Sequence, residues 1–208
     1  MSLVYHERPG VYSSYDASSI IARGATERVI ALIGKAEAKV GLYRLHSYAE
    51  AKEAFAEGSE LGRMAKLAYQ NGAGTVLASP VAEDTLEAYQ AALALVFAEK
   101  EAGFCVVGSA LETVQKALRD AVESASKQNG ECVGIVGLAE PTLKNLTDRA
   151  AVLNSERMVL VAPDVYVWGE STLAGGQMAA AALAGSVGPG AAAQRTGSVW
   201  HDRREQDV

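Results

Sequence analysis

The chain has 208 residues, of which 49% are apolar and 21% are charged, a composition typical of a soluble globular protein with a sizeable core. Its net charge of −6, with no cluster of lysines and arginines to offset it, argues against nucleic acid as a partner. The apolar runs are too short to span a membrane, and the N-terminus lacks the apolar core of a signal peptide. One domain with appendages therefore fits better than two domains.

The N-terminal residues 1–27 are predicted to form an arm. Valine and tyrosine side chains favour an extended strand here, at Val4, Tyr5, Val11 and Tyr12. Pro9 and Gly10 supply a turn or bulge within that extended run. A strand-like segment without a hairpin partner must pair with a sheet edge elsewhere, which favours an edge on another subunit. A disordered terminus and an edge strand folded back on its own sheet are the alternatives.

From Val29 onward, strand and helix patterns alternate. Continuous apolar runs predict strands buried on both faces, at 29–34, 75–79, 104–107, 132–137 and 158–162. Capping boxes, in which a glutamate follows a small polar residue by three positions, predict helix starts at Ser47, Asp84 and Ser109. Further helices are expected at 61–71 and from Pro141, the second with a buried stripe at Leu143, Leu146, Ala150 and Leu153.

These strand–helix units predict an α/β fold with a mostly parallel sheet and helices on both faces. The domain is expected to span residues 28–168. Residues 169–186 are rich in glycine and alanine, so they are expected to form a small-residue helix packed closely on the domain. Residues 187–208 are expected to form a loose, flexible C-terminal tail.

The loops at the strand ends lack the motifs of nucleotide binding and hydrolysis. Gly34-Lys35 has neither the earlier glycine nor the Ser/Thr of a phosphate loop, and Gly72-Ala-Gly74 lacks a third glycine and precedes a strand. Ser109 does not lie in a Gly-x-Ser-x-Gly motif, so it is interpreted as a helix cap. Cys105 and Cys132 lie in predicted strands outside any Cys-x-x-Cys pair, which favours buried thiols in a reducing cell.

Histidines and carboxylates do not form a catalytic or metal-binding constellation in the sequence. The histidines are scattered, at His6, His46 and His201, which argues against a metal site or a catalytic triad. Asp164 follows the last strong strand, where an α/β active site would lie, and Asp148 and Arg149 lie on a nearby helix. Solvated surface or a subunit contact is the favoured interpretation of all three. We therefore expect no catalytic residue, no cofactor and no bound metal.

An ordered series of segments resembles the tail sheath proteins of contractile phage tails. The series begins with Pro9-Gly-Val-Tyr12 and the strand at 29–34, and continues with the segment 47–55 and the turn Asn71-Gly-Ala-Gly74. Residues 153–163 resemble the family's segment before an alanine-rich helix, and 179–185 resemble that helix. Family members are usually longer and continue into a further domain portion and a C-terminal arm. The chain then corresponds to a compact variant, a truncated prophage copy or the first part of a longer sheath protein.

The resemblance implies a structural protein and not an enzyme. Sheath subunits polymerise around a tail tube, and their terminal arms add strands to the sheets of neighbouring subunits. The expected partners are therefore neighbouring sheath subunits, the tail tube protein and the baseplate, and the expected location is the virion tail, assembled in the host bacterial cytoplasm. The residues expected to carry the subunit link are Tyr5, Pro9, Gly10, Val11 and Tyr12.

Two other functions stay open on the sequence. One is a small-molecule or nucleotide-binding α/β domain, including an enzyme, that uses the crevice at the carboxyl ends of the strands. The other is a sheath of a related injection apparatus, such as a bacteriocin or a secretion system, which the sequence does not separate from a phage tail.

Overall fold

The computed structural model of the protein describes residues 29–128, 130–138, 142–162, 165–168, 171–174 and 180–185. The predicted arm at 1–27 and the predicted tail at 187–208 lie outside the described residues. Both therefore stay predictions.

A six-stranded sheet forms the centre of the fold. In spatial order its strands are β2 (Tyr43–Leu45), β3 (Val76–Val81), β1 (Val29–Lys35), β4 (Ala102–Val107), β5 (Val133–Gly137) and β6 (Met158–Val161). All neighbouring pairs are parallel except β2–β3, which is antiparallel. The predicted mostly parallel sheet is therefore confirmed, although β2 was not predicted from the sequence.

Helices connect the parallel strands, as such connections require. They are α1 (Tyr48–Ala54), α2 (Glu60–Gln70), α3 (Leu86–Ala98), α4 (Glu112–Ser126) and α5 (Leu143–Leu153). The Ser47 box is confirmed: the Ser47 hydroxyl accepts a hydrogen bond from the Glu50 amide, and the Glu50 carboxylate accepts one from the His46 amide.

Alternating side chains of β1 divide the core between the two faces of the sheet. Ile30 and Leu32 pack on the side of α1 and α2, whereas Ala31 and Ile33 pack on the side of α3, α4 and α5. All four side chains are fully buried, because helices cover both faces. The predicted placement of helices on both faces is confirmed.

Three predicted helix boundaries are wrong in detail. Helix α3 is capped by Thr85 and not by Asp84. Helix α4 begins at Glu112, and its N-cap residue is Leu111 and not Ser109. The Ser109 hydroxyl instead accepts a hydrogen bond from the Leu111 amide in the turn before the helix. Helix α5 is capped by Thr142, so its first turn starts after Pro141.

The predicted stripe of α5 is also only partly buried. Leu153 is buried, but Leu143 is 83% exposed and Ala150 is exposed. The helix packs through its C-terminal end, and its N-terminal turn stands away from the rest of the described residues. The spacing of the apolar residues therefore predicted the helix correctly but not which of its residues are buried.

Two short strands follow the sheet and form a separate antiparallel hairpin. They are β7 (Val165–Trp168) and β8 (Ser171–Ala174), paired from Val165 opposite Ala174 to Trp168 opposite Ser171. Neither β7 nor β8 was predicted, and the predicted domain boundary at residue 168 falls between the two strands.

Residues 180–185 are helical and pack closely against α2. Ala180, Ala181 and Ala184 are fully buried in the same core as Leu61 and Met64. A Cβ atom added to Gly185 would lie 2.3 Å from the carbonyl oxygen of Ala68. The small side chains are thus what permits this backbone approach.

This approach predicts that Gly185→Ala lowers stability. The added methyl group meets a backbone carbonyl that cannot rotate away, so we expect the free energy of unfolding to fall by about 1–3 kcal/mol. Urea denaturation measures the change. Gly41→Ala is the control, because an added Cβ there has no atom within 4 Å. Equal effects of the two substitutions would contradict the close packing.

Candidate functional site

The residues expected to link subunits, Tyr5, Pro9, Gly10, Val11 and Tyr12, lie outside the described residues. The same is true of Asp164. The structure therefore brings none of them together, and their roles stay predictions. Within the described residues, the candidate site is the carboxyl edge of the sheet, where doubly wound α/β proteins bind their ligands.

The helices that follow β1 and the helix that follows β4, which is α4, lie on opposite faces of the sheet. The two strands end side by side, and the Gly108 amide donates to the Ile33 carbonyl at 2.7 Å. A ligand site in this fold would lie in the gap above these strand ends.

The Glu60 side chain, from the first residue of α2, reaches into this gap. Its Oε2 atom accepts from the Lys35 amide at 3.3 Å, and the Lys35 ammonium lies 4.0 Å away. A Cβ atom on Gly108 would lie 2.4 Å from Glu60 Oε1, so the glycine makes room for the carboxylate. The side chain is only 17% exposed, and burial raises the pKa of Glu60. A carboxylate of the chain itself therefore stands at the strand ends.

The buried hydroxyl of Tyr89 lies on the opposite face of the same edge. Tyr89 belongs to the first turn of α3, is fully buried and has no hydrogen-bond partner for its hydroxyl among the described residues. Burial raises its pKa, and the negative charges of Glu60 and Asp84 add to that increase. This tyrosine was predicted only as part of an apolar helix face.

A second polar group closes the edge between β4 and β5. The Gln115 side chain is fully buried, and its Nε2 donates to the carbonyls of Ser109 at 3.1 Å and Gly137 at 2.8 Å. Its Oε1 accepts from Arg149 at 2.5 Å, and Arg149 also donates to the Ala110 carbonyl at 3.1 Å. The loops after the two strands are therefore tied together by side chains of α4 and α5.

This network corrects two sequence-based interpretations. Arg149 is not merely solvated surface or a subunit contact, because it bonds within the chain. Ser109 is fully buried and engaged in a turn. Gln115 was missed, although its position between Val114 and Leu118 on a buried helix face was a usable signal.

The cysteines are buried, as predicted. Cys105 lies in β4, Cys132 immediately precedes β5, and both are free thiols. Burial raises the pKa of Cys105 strongly and that of Cys132 to about 12. Neither thiol is poised as a nucleophile, since the thiolate is the reactive form.

The described ranges contain neither a metal-binding cluster nor a membrane-spanning helix. No group of three or more histidine, cysteine or acidic side chains there could hold a metal ion. Within the same ranges no helix is long and apolar enough to cross a membrane.

Unpaired strand edges are available in the described part of the chain. Strand β6 pairs with β5 on one side and with no described strand on the other, and its Val159 is 39% exposed. Among the strands that the structure describes, β7 and β8 pair only with each other. Such edges can accept a strand from another chain.

Together, the sheet order, the two covered faces and the change of face at β1/β4 define a doubly wound α/β domain. No protein-family model matches the chain, and no curated protein matches it in sequence. Solved structures of the anti-feeding prophage have a similar fold. The helical sheath of the anti-feeding prophage in its contracted state aligns with a TM-score of 0.57 and 17% identity, covering 87% of this chain and 52% of that one.

Two baseplate structures of the same prophage agree. The six-fold symmetrised baseplate gives a TM-score of 0.57 at 18% identity over 87% of this chain and 52% of that one. The contracted baseplate gives 0.55 at 14% identity over 88% and 53%. The chain therefore has a sheath-like fold, and it spans about half the length of the chains it matches.

The buried amide network predicts that Gln115→Leu is destabilising. Leucine fills the same space but leaves two carbonyls and the Arg149 guanidinium without their partner, so we expect a loss of about 2–3 kcal/mol in the free energy of unfolding. Gln70→Leu, on the exposed end of α2, is the control and should change stability by less than about 0.5 kcal/mol. Chemical denaturation monitored by circular dichroism measures both. Equal losses would show that the network is not stabilising.

The Glu60 carboxyl predicts a specific pH dependence. Its pKa is raised in the folded state, so the folded state binds more protons between the unfolded and folded pKa values. Stability contributed by this group is therefore lost as the pH rises through that window. Glu60→Gln removes the titration. As the pH rises from below 4.5 to neutral, the free energy of unfolding of this variant should therefore increase relative to that of the wild type.

Denaturation curves across that pH range make the measurement. Lys35, Asp84 and Arg63 also act on the Glu60 carboxyl and are unchanged in the comparison. Glu53→Gln, at an exposed position of α1, is the matched control. A constant difference between Glu60→Gln and the wild type at every pH would contradict the raised pKa.

Proposed function

We propose that the chain is a structural subunit of a contractile phage-type tail sheath and that it performs no catalysis. The observation that carries this proposal is the fold that 87% of the chain shares with the anti-feeding prophage sheath. The ordered sequence resemblance, from Pro9 to Gly185, supports the same function independently. In this proposal the subunits assemble with copies of themselves around a tail tube, in contact with a baseplate, in a virion tail put together in the host cytoplasm.

The carboxyl edge supports a structural role over the alternative of a small-molecule or nucleotide-binding domain. In a ligand-binding domain, polar groups at the strand ends are held ready for a ligand. Here Glu60 bonds to the Lys35 amide, and Gln115 is saturated by Ser109, Gly137 and Arg149. These groups join the chain to itself and make the edge rigid.

The link between subunits is proposed to be strand addition by the N-terminal arm. Tyr5, Pro9, Gly10, Val11 and Tyr12 supply the extended segment. The outer edge of β6 or an edge of the β7–β8 hairpin supplies the acceptor on the neighbouring subunit. The hairpin is a favourable acceptor because a two-stranded sheet alone is marginally stable and gains from a third strand. A sheath of a related injection apparatus would use the same chemistry.

The arm makes a testable prediction about assembly. Val11→Asp/Tyr12→Asp places two charges in the pairing segment, so we expect no rings or tubes in negative-stain micrographs at a concentration where the wild-type chain forms them. Ser13→Asp/Ser14→Asp adds the same charge two residues further along the arm and should still assemble.

The thermal midpoints of both variants should match that of the wild type, because the buried core of the described residues begins only at Val29. Assembly by Val11→Asp/Tyr12→Asp at the wild-type concentration would contradict the arm link, as would assembly by a chain that lacks residues 1–16.

A further inference from the structure

An apolar groove lies between α3 and α4, away from the carboxyl edge. It has a volume of about 360 Å³ and is lined by Leu93 and Phe97 on α3, by Ala117 and Ala121 on α4, and by Ala102 at the start of β4. On each helix the lining residues are four positions apart, so they share one face. Alanines on α4 opposite larger side chains on α3 leave the space open. We name this feature the α3–α4 groove.

The groove lies beside the point where the chain enters the sheet. Val29, the first residue of β1, pairs with Ala102, which lines the groove. The Val29 side chain belongs to the same core as Leu93 and Val96 of α3. Val29 therefore lies at the amino edge of the strands, beside a residue that lines the groove.

The sequence just before Val29 contains an apolar run of matching chemistry. Ile20-Ile-Ala22 is the nearest such run, and Ile21 lies eight residues before Val29. Eight residues reach up to about 26–29 Å. The groove follows α3 from Gln90 to Phe97, a helical rise of about 10 Å. The run can thus reach any part of the groove without leaving its own chain.

We propose that Ile20-Ile-Ala22 docks in the α3–α4 groove of its own chain and anchors the base of the arm to the domain. Burial of the two isoleucine side chains against Leu93 and Phe97 supplies the free energy. The short linker to Val29 makes the chain's own segment the favoured occupant over that of a second copy, because it raises the effective concentration. This docking does not require the proposed sheath function. It adds to that function by fixing the direction in which Tyr5 to Tyr12 leave the domain.

A cysteine pair in the full chain tests the docking. Ile21→Cys combined with Ala121→Cys, which lines the groove, should form an intrachain disulfide under mild oxidation. Ile21→Cys with Ala91→Cys is the matched control, since Ala91 is exposed on α3 outside the groove. We expect the groove pair to close at least about tenfold faster than the control pair. The native Cys105 and Cys132 are buried, so they do not compete. Gel mobility without reductant, with mass spectrometry of the linked peptides, gives the readout.

The outcomes separate the possible occupants. Equal rates for the two pairs would overturn the proposal. Disulfide-linked dimers through positions 21 and 121 would also overturn it, because the groove would then hold a segment of a second copy. The measurement uses unassembled protein, so a failed sheath assembly does not affect it.

A second measurement leaves the groove itself unchanged. Ile20→Asp/Ile21→Asp removes the apolar contact and should lower the thermal midpoint by about 3–6 °C. Val11→Asp/Tyr12→Asp, with the same charge change further from the domain, should leave it unchanged. A midpoint unaffected by Ile20→Asp/Ile21→Asp would overturn the docking even if the cysteine variants failed to fold.

Discussion

Strand β1 must be covered on both of its faces, and the arrangement of the domain follows from that constraint. Ile30 and Leu32 require one apolar layer, and Ala31 and Ile33 require another. Parallel strands need long crossovers, and the helices in those crossovers provide both layers. Each face must be covered by its own set of connecting helices, so these helices change from one face of the sheet to the other beside β1. A gap at the carboxyl edge between β1 and β4 is the geometric consequence.

Two largely buried polar side chains of the chain itself lie at this edge of the sheet. A buried carboxylate and a buried amide each cost free energy unless hydrogen bonds compensate for lost water. The Lys35 amide compensates Glu60 only in part, since burial still raises the pKa of Glu60, whereas Gln115 bonds to two strand-end carbonyls and Arg149. The Glu60 carboxylate and the Gln115 amide are therefore engaged in bonds within the chain, where a ligand would otherwise contact them. They also fasten helices of both faces to the strand ends.

Sequence patterns predicted the parts of this fold that depend on local or periodic signals. Long apolar runs located β1, β3, β4, β5 and β6, and a Ser-x-x-Glu box located α1. Strand β2 was missed because three residues carry too little pattern to be distinguished from a loop. Strands β7 and β8 were not predicted either. The face of α5 was misjudged because Leu143 has helical spacing but lies at the end that does not reach the sheet. Gln115 and Glu60 were missed as edge-closing groups because their partners are backbone atoms far away in sequence, which no local motif records.

Attachment of the arm to β1 has a mechanical consequence for any assembly that transmits force through it. Val29 begins a strand that has parallel neighbours on both sides and buried side chains on both faces. A pull along the arm loads the ladders to β3 and β4 together, in shear along the strand, and does not peel an edge strand away bond by bond. An arm attached to β6 would load a single ladder of four residue pairs. In the proposed sheath, attachment through a strand held by two ladders would suit subunits that stay linked while they reorient.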